Sequence, residues 1–199
     1  MKLYHCKQSR SSRVLWFLEE LGLPYEIEVL PFDPKALKSV DYLELNPFGK
    51  VPLLVDDGLI MSESVAIIQY LLEHYADGRF EPPRASPDYG RFLQWLQFGE
   101  STLMGPVSKL ADHAALLPAD ERRPELAEQG RRDFEHYAGI MNKTLRGQDF
   151  LIGDQFTAAD IVVGYTVHVA KTFGAELDGP IAEYYARLAA RPAFIKALS

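Results

Sequence analysis

The sequence has 199 residues, of which 47% are hydrophobic and 25% charged, and a formal net charge of −7. This composition is typical of a globular protein with a substantial core, in one large domain or two small ones. Nucleic-acid binding needs clustered Lys and Arg, so the acidic balance argues against nucleic acid as the main ligand. No apolar run is long enough to span a bilayer, and the first residues predict no secretory signal. The one cysteine, Cys6, excludes an internal disulfide, and we expect a cytoplasmic protein.

The first 76 residues predict strands and helices in alternation. The expected strands are residues 2–5, 25–30, 51–55 and 59–61, and the expected helices are residues 14–21, residues 35–45 and a segment capped by Ser62. The opening strand–helix–strand order implies parallel pairing. Asp56-Asp57-Gly58, between the last two strands, is a strong hairpin signal that adds an antiparallel edge. The sequence therefore predicts a small mixed sheet covered by helices.

Only helices are expected after residues 77–85, which are rich in turn formers and predict a linker. These helices are expected near residues 86–98, 120–145, 157–173, 181–190 and 192–198. Thr157 and Asp160 have the spacing of a capping box, and the helix after them is apolar on nearly every side, which predicts a buried position. The predicted domains are therefore residues 1–76 and 86–199, the second of them all-helical.

Three serines lie between the first strand and the first predicted helix, in Ser9-Arg10-Ser11-Ser12-Arg13. Backbone N–H groups without intrahelical partners and the positive end of the helix dipole stabilise an anion there and lower the pKa of a thiol. A free thiol with a pKa of about 8.5 becomes mostly thiolate at pH 7 if that pKa falls by about 2 units. The structural alternative is that one serine simply caps the helix, because Ser is a preferred N-cap residue.

Two further features suit a peptide with an amino-acid head group. Within residues 46–52, Pro52 belongs at a strand start or sheet edge, and a cis bond before it would aim the N–H and C=O of Val51 outward, where an extended peptide can pair with them. At the next helix start, Ser64 can hold a carboxylate and Glu63 can pair with an ammonium group. The structural alternatives are a loop with two prolines and an ordinary helix cap. Together with the serines, these features fit a small ligand with a thiol, a peptide backbone and an amino-acid head group.

Along essentially its whole length the sequence resembles the glutathione transferase superfamily. The matching stretches are residues 9–24, 46–52, 62–70, 157–160 and 191–194. The combination of Asn-Pro-x-Gly-x-Val-Pro with Ser-Glu-Ser-x-Ala-Ile is far more specific than either piece alone. The resemblance implies an α/β thioredoxin-like N-terminal domain with a mixed four-stranded sheet and an all-α C-terminal helical bundle domain, usually in a homodimer.

The resemblance also implies roles for residues of the N-terminal domain. Val51, before a cis Pro52, is expected to pair with the cysteinyl backbone of glutathione. Glu63 and Ser64 are expected to hold its γ-glutamyl end, and Lys50 to contact the ligand backbone or the glycyl carboxylate. These five residues form the expected glutathione site.

One of the serines is expected, by the same resemblance, to donate a hydrogen bond to the glutathione thiolate. Ser9 is the first choice, since its spacing to Arg13 is like that of serine-type members, and Ser11 and Ser12 are the fallback candidates. Cysteine-type members carry their catalytic cysteine near position 10, which is Arg10 here. The sequence is therefore expected to be of the serine type.

A second-substrate pocket is expected between the two domains. Its candidate residues are Phe98, Met104, Tyr165 and His168. For each of them the alternative is core packing. Tyr4 and Cys6 in the first strand region are expected to be structural, and no metal site is expected.

We therefore expect a glutathione transferase that activates the glutathione thiolate for attack on a small hydrophobic electrophile. Ser9 would stabilise that thiolate. Three enzyme alternatives keep glutathione and change the reaction: reduction of peroxides or disulfides, isomerisation, or dehalogenation. A non-catalytic interaction protein with the same fold also stays open, because a fold does not fix a function.

Overall fold

The computed structural model describes residues 1–198. The strands are β1 (Lys2–His5), β2 (Glu26–Val29), β3 (Leu53–Asp56) and β4 (Leu59–Ser62). The helices are α1 (Ser11–Leu21), α2 (Pro34–Leu37), α3 (Val40–Leu45), α4 (Ser64–Tyr75), α5 (Pro87–Gln97), α6 (Met104–Ala111), α7 (Pro124–Thr144), α8 (Ala158–Thr172), α9 (Pro180–Ala189) and α10 (Pro192–Leu198). Two π-helical segments, Phe98–Thr102 and Asp112–Leu116, follow α5 and α6. No helix within residues 1–198 combines the length and the apolar character that crossing a membrane requires.

The chain divides into two compact units, each with its own core. The first contains Met1–Gly78 together with the segment that begins at Arg191, and the second contains Arg79–Ala190. The expected division placed the last helix, α10, with the helical domain, and the structure differs on this point. The physical reason lies in the side chains that join α10 to α1.

Helix α10 packs on α1 through an aromatic contact and an ion pair. The rings of Trp16 and Phe194 meet edge to face, with centroids 4.9 Å apart. Arg191 donates to both carboxylate oxygens of Glu20, at 2.6 and 2.7 Å, in the bidentate geometry that makes such pairs strong. Because Trp16 is fully buried, the cover that Phe194 gives it removes a large apolar surface from water.

The first unit is built on a four-stranded mixed sheet in the order β2-β1-β3-β4, as the sequence predicts. Strands β1 and β2 are parallel, and β3 is antiparallel to both β1 and β4. The hairpin between β3 and β4 turns at Asp57 and Gly58, whose φ angles are 44° and 83°. Positive φ at both positions is what a two-residue hairpin turn demands. Helix α1 ends as predicted at Gly22, in the left-handed conformation with φ 69°.

The helix boundaries predicted around α3 and α4 are wrong. The helix expected over residues 35–45 is two short helices, because Ser39 is extended and accepts a hydrogen bond from the Tyr42 N–H at 3.4 Å as the cap of α3. The expected cap Ser62 instead ends strand β4, and α4 begins at Ser64 after Glu63.

The second unit, Arg79–Ala190, contains α5 to α9. Its first helix begins as predicted, with Ser86 accepting a hydrogen bond from the Asp88 N–H at 3.2 Å. Helix α6 was not predicted, because Gly105 and Pro106 are usually helix breakers. They lie in the first turn of α6, which follows the π-helical segment Phe98–Thr102 through Leu103 in the helical conformation.

Helix α8 is central in this unit, and its start is closed by Asp160. The fully buried carboxylate accepts from the Thr157 N–H and hydroxyl at 2.8 and 2.9 Å. It also accepts from the Leu151 N–H at 3.0 Å and from the Tyr184 hydroxyl at 3.1 Å. Burial raises the pKa of Asp160 to about 6, and these hydrogen bonds oppose that rise. The predicted capping box is confirmed, and it is one part of a larger buried network.

Candidate functional site

The loop between β1 and α1 brings the three serines to a helix start. Gln8 has a φ of 60°, so the chain turns sharply before α1 begins at Ser11. Arg10 stands at the N-cap position without a capping side chain, and the first turn of α1 contains no acidic residue. The Ser9 hydroxyl accepts from the Ser11 N–H at 3.2 Å. Ser9 thus satisfies one backbone group of the helix start, which is part of the structural role considered above.

Ser9 and Ser11 belong to a chain of hydrogen bonds that begins at a buried histidine. The Nδ1 atom of His5 lies 2.7 Å from the Ser11 Oγ, which lies 2.7 Å from the Ser9 Oγ. The Ser9 hydroxyl also donates to the Cys6 carbonyl oxygen at 2.8 Å. Relative exposures are 3% for His5, 0% for Ser11 and 8% for Ser9. We call these three residues the His5–Ser11–Ser9 chain.

Neither His5 nor Cys6 is charged at neutral pH. Burial, and secondarily the positive charge of Lys7, lower the pKa of His5 to about 4. Burial raises the pKa of the Cys6 thiol, whose sulfur donates to the Pro31 carbonyl oxygen at 3.6 Å. A buried thiol that stays protonated is a poor nucleophile, which agrees with the structural role expected for Cys6.

Ser12 and Arg13 complete the start of α1, and both are fully buried. The Ser12 Oγ has no hydrogen-bond partner among the described residues. The Arg13 guanidinium donates through Nη1 to the Ser64 Oγ at 3.2 Å. Because Ser64 is the first residue of α4, this hydrogen bond joins the starts of α1 and α4, where the sequence predicts the thiol end and the amino-acid end of one ligand.

Val51 and Pro52 lie just before strand β3, and the peptide bond between them is cis. The ladder between β3 and β4 begins at Leu53, so Val51 stands outside it. The predicted strand start at Val51 is therefore two residues early, because Pro52 has no N–H to donate to a ladder.

The turn before Val51 is held by two hydrogen bonds to one backbone carbonyl. The Lys50 carbonyl oxygen accepts from the Tyr42 hydroxyl at 2.7 Å and from the Asn46 side-chain amide at 2.6 Å, whereas the Lys50 side chain is exposed. Gly49 has a φ of 59°, and a Cβ there would lie 2.9 Å from the Leu37 carbonyl oxygen. Tyr42 and Asn46 were not expected to support the site, because their contact with Lys50 depends on the fold of α3.

Glu63 and Ser64 stand at the start of α4 in contrasting environments. Glu63 is exposed with a φ of 71°, in a region that costs a residue other than glycine about 1–3 kcal/mol. Ser64 is 4% exposed and presents its backbone N–H at the positive end of the helix dipole. A strained acidic residue beside a helix start is an arrangement often found where a ligand binds.

The four second-substrate candidates fall into two groups. Met104 and Tyr165 lie in the core of the second unit, at 4% and 3% exposure. Phe98 is half-buried, and its ring contacts that of Trp95 with centroids 5.0 Å apart. His168 is also half-buried and lies 2.9 Å from the Tyr185 hydroxyl through Nδ1, and burial lowers its pKa.

Within residues 1–198, no group of three or more His, Cys, Asp or Glu side chains is placed to hold a metal ion. The polar groups at the starts of α1 and α4 include the serine hydroxyls, backbone amides, the Arg13 guanidinium and the exposed Glu63 carboxylate. They suit an organic ligand with a carboxylate, an ammonium group and a thiol, which is the ligand the sequence predicts.

Comparison with known proteins shows the family to which this chain belongs. Residues 9–74 match the family model for the glutathione S-transferase N-terminal domain, and residues 124–190 match the model for its C-terminal domain. The chain is 33% identical over 186 residues to glutathione S-transferase 3 of Schizosaccharomyces pombe, covering 85% of this chain and 74% of that protein. It is 31% identical to glutathione S-transferase hmp2 of Hypomyces subiculosus, covering 99% of this chain and 97% of that one.

A solved structure gives the same result for the fold. The glutathione transferase URE2P6 from Phanerochaete chrysosporium, solved in complex with oxidized glutathione, superposes with a TM-score of 0.84 at 30% identity. That superposition covers 98% of this chain and 93% of the other. The mixed four-stranded sheet, the helical second unit and the matched family models agree, and the chain belongs to the glutathione S-transferase family.

Proposed function

We propose that this protein is a glutathione transferase that lowers the pKa of the glutathione thiol at the start of α1 and directs the thiolate at a small hydrophobic electrophile. One observation carries the proposal: Ser9 lies just before the start of α1 with 8% of its surface exposed, and the first turn of α1 contains no acidic residue. A thiolate there meets a hydroxyl donor and the positive end of a helix dipole, with no carboxylate to repel it. Burial favours Ser9 over the fully buried Ser11 and Ser12.

The remaining residues have binding roles in this proposal. Val51 pairs with the cysteinyl backbone of glutathione, and Lys50 contacts the ligand backbone or its glycyl carboxylate. Glu63 pairs with the γ-glutamyl ammonium group, while Ser64 holds the adjacent carboxylate at the start of α4. The hydrogen bond from Arg13 to Ser64 supports this assignment, because it holds the starts of α1 and α4 next to each other.

Catalysis in this scheme consists of thiol ionisation and positioning. Ser9 donates a hydrogen bond to the thiolate, and the thiol proton leaves to solvent. The thiolate then attacks the electrophile and its leaving group departs, or the thiolate adds across an activated double bond. The serine is therefore a donor to the nucleophile and does not become one itself.

The test is a pH titration of the ultraviolet absorbance of the glutathione thiolate bound to the protein. We expect the bound thiol to ionise about 2 pH units below free glutathione, and Ser9→Ala to remove most of that shift. Ser101→Ala is the matched control, since Ser101 is exposed and its hydroxyl donates to the Gln97 carbonyl oxygen one turn earlier in the second unit.

The other possible results of this titration lead to different conclusions. Glutathione that binds without a thiol shift contradicts the activation step and favours the interaction-protein alternative. A shift that survives Ser9→Ala transfers the role to Ser11, Ser12 or the helix start alone. If the shift is present, product analysis with an aryl halide and with a hydroperoxide separates transfer from peroxide reduction.

A homodimer in a reducing cytoplasm is part of the proposal. The family supports the dimer, and the single buried cysteine is compatible with a reducing compartment. Sedimentation equilibrium tests the dimer directly, since a monomer of 22.5 kDa and a dimer differ twofold in mass.

A further inference from the structure

We propose that His5 and Ser11 are positioning residues that orient the Ser9 hydroxyl, so that its proton is directed toward the glutathione thiolate. This inference rests on the proposed role of Ser9. It adds two residues that do not contact the ligand. One of them, His5, was not among the site residues that the sequence predicts. The observation that carries it is the His5–Ser11–Ser9 chain, with both oxygen-to-oxygen and nitrogen-to-oxygen distances at 2.7 Å.

The number of available protons determines which atoms of the His5–Ser11–Ser9 chain donate and which accept. Each serine hydroxyl has one proton, and a neutral imidazole has a proton on one of its two nitrogens. The Ser11 Oγ already accepts from the Cys6 N–H at 3.1 Å. The Ser11 hydroxyl also lies 3.1 Å from the Cys6 carbonyl oxygen, a longer contact than the two at 2.7 Å within the chain. When each of the two shorter contacts holds one proton, the state of the His5 Nδ1 atom decides which way both hydroxyls point.

With the proton on Nδ1, His5 donates to Ser11, and Ser11 donates to Ser9. The Ser9 Oγ then accepts from the Ser11 hydroxyl and the Ser11 N–H, and its own proton is available to an outside acceptor. In the structure that proton is directed at the Cys6 carbonyl oxygen, and we infer that it turns to the thiolate when glutathione binds. Successive donors polarise one another, so Ser9 becomes a stronger donor than an isolated serine.

With the proton on Nε2 instead, the donors and acceptors along the His5–Ser11–Ser9 chain are reversed. The Ser11 hydroxyl donates to the bare His5 Nδ1, and the short contact between the serines is filled by the Ser9 proton. Ser9 then points inward and offers a lone pair to an incoming thiolate, which is repulsive. Only the Nδ1–H tautomer of His5 is compatible with the role proposed for Ser9.

His5 serves here as a fixed donor and not as a general base. It is 3% exposed, and a nearly buried imidazole remains neutral over the pH range in which glutathione ionises. No proton travels along the chain during the reaction, because the thiol proton is released to solvent. The role of His5 is to hold two hydroxyls in one orientation.

Two substitutions of His5 form a matched pair for the test. The Asn side chain ends about where Nδ1 of His lies, so His5→Asn keeps an N–H donor facing Ser11. The Gln side chain ends about where Nε2 lies, so His5→Gln keeps the amide but moves it away. We expect the bound thiol pKa to stay close to the wild-type value in His5→Asn, and to rise by roughly half a unit to one unit in His5→Gln and in Ser11→Ala.

The effect must also depend on Ser9. In a Ser9→Ala background, His5→Gln and Ser11→Ala should change the bound thiol pKa no further, because the hydroxyl through which they act is gone. An effect of the same size in both backgrounds overturns the proposal. Ile68→Val in α4 is the control for general loosening of the first unit, since Ile68 is fully buried and apolar. It should lower the melting temperature without moving the thiol pKa.

A direct readout does not depend on the stability of the variants. Nitrogen-15 spectra of histidine-labelled wild-type protein distinguish the two tautomers, and the His5 signals are those missing from any one folded His5 variant. A protonated Nδ1 and a bare Nε2 are expected, and the reverse assignment overturns the proposal. If Ser9→Ala alone leaves the bound thiol pKa unchanged, the role proposed for Ser9 fails, and this inference fails with it. If Ser9→Ala raises it while His5→Gln and Ser11→Ala do not, only the present inference fails.

Discussion

The starts of α1 and α8 differ in whether the chain itself supplies an anion to the backbone N–H groups of the helix start. Both are buried and carry hydroxyl side chains, and both have backbone N–H groups without intrahelical partners. At α8 the carboxylate of Asp160 accepts four hydrogen bonds and closes the site. At α1 the first turn has no acidic residue, and Ser9 keeps 8% of its surface exposed. The start of α8 is therefore capped by an anion of its own chain, whereas we propose that the start of α1 receives the anion of a ligand.

Removing the Asp160 carboxylate from the start of α8, which we call the closed start, should have the largest effect on stability. The start of α1, which has no acidic residue in its first turn, is called the open start. Asp160→Ala removes the acceptor for the buried N–H groups of Leu151 and Thr157 and for the Tyr184 hydroxyl, so we expect a loss of about 3 kcal/mol in the free energy of unfolding. Urea denaturation measures it, with Asp120→Ala in an exposed turn as the control. A loss below about 0.5 kcal/mol would contradict the assignment of Asp160 as the anion of this helix start.

The open start should make stability depend on pH through His5. Its pKa is about 4 in the folded protein, below the value of about 6.5 in an unfolded chain. As pH falls, the unfolded chain therefore binds the proton first, and stability is lost progressively from about pH 6.5 to about pH 4, by about 3 kcal/mol in total.

His5→Asn isolates this contribution, because it keeps a polar side chain that does not titrate. The difference in unfolding free energy between wild type and His5→Asn should shrink or reverse as pH falls from 7 to 4. Only the wild type has an imidazole that binds a proton more readily in the unfolded chain than in the folded protein. A difference that is constant over this range would mean that His5 titrates alike in the folded and unfolded chains.

Converting the open start into a closed one should abolish thiol activation. Ser9→Asp places a carboxylate beside the start of α1, where it can accept the Ser11 N–H that Ser9 now accepts. An acidic residue at a helix start is favourable, which offsets part of the cost of losing the hydrogen bond that the Ser9 hydroxyl donates to the Cys6 carbonyl oxygen. The bound thiol pKa should rise by about one unit or more beyond that in Ser9→Ala, since a like charge opposes the thiolate. Equal pKa values in the two variants would contradict this electrostatic account of the open start.

The smallest effect is expected at Ser12. Its buried hydroxyl has no hydrogen-bond partner among the described residues, so Ser12→Ala removes no hydrogen bond and should change unfolding free energy by less than about 0.5 kcal/mol, or stabilise slightly. The thiol pKa should remain at the wild-type value. A thiol shift as large as that of Ser9→Ala would make Ser12 the donor to the thiolate.

The contrast between the two helix starts also explains what the sequence could predict. Thr157 and Asp160 are three residues apart on one helix turn, so their contact follows from local geometry, and the sequence predicts it. The same holds for the hairpin at Asp57 and Gly58, and for the end of α1 at Gly22. Each of these features depends on residues that are neighbours along the chain.

The contacts that the sequence missed depend on distant residues or on an unusual backbone. His5 reaches Ser11 because Gln8 turns the loop with a positive φ, and no residue-type preference predicts that conformation for glutamine. The support of Lys50 by Tyr42 needed the correct division of α2 and α3. The resemblance to the family gave the order of the site residues, but it gave neither the orientation of their protons nor which serine is accessible.

Because the first unit takes α10 from the far end of the chain, the order in which it can form during synthesis is constrained. Met1–Gly78 leave the ribosome before the second unit, yet Trp16 lacks the ring of Phe194 and Glu20 lacks the guanidinium of Arg191 until α10 emerges after that unit. The nascent chain therefore carries an uncovered aromatic surface on α1 throughout translation of the second unit. The first unit can therefore complete its core only after the second unit, Arg79–Ala190, has been synthesised.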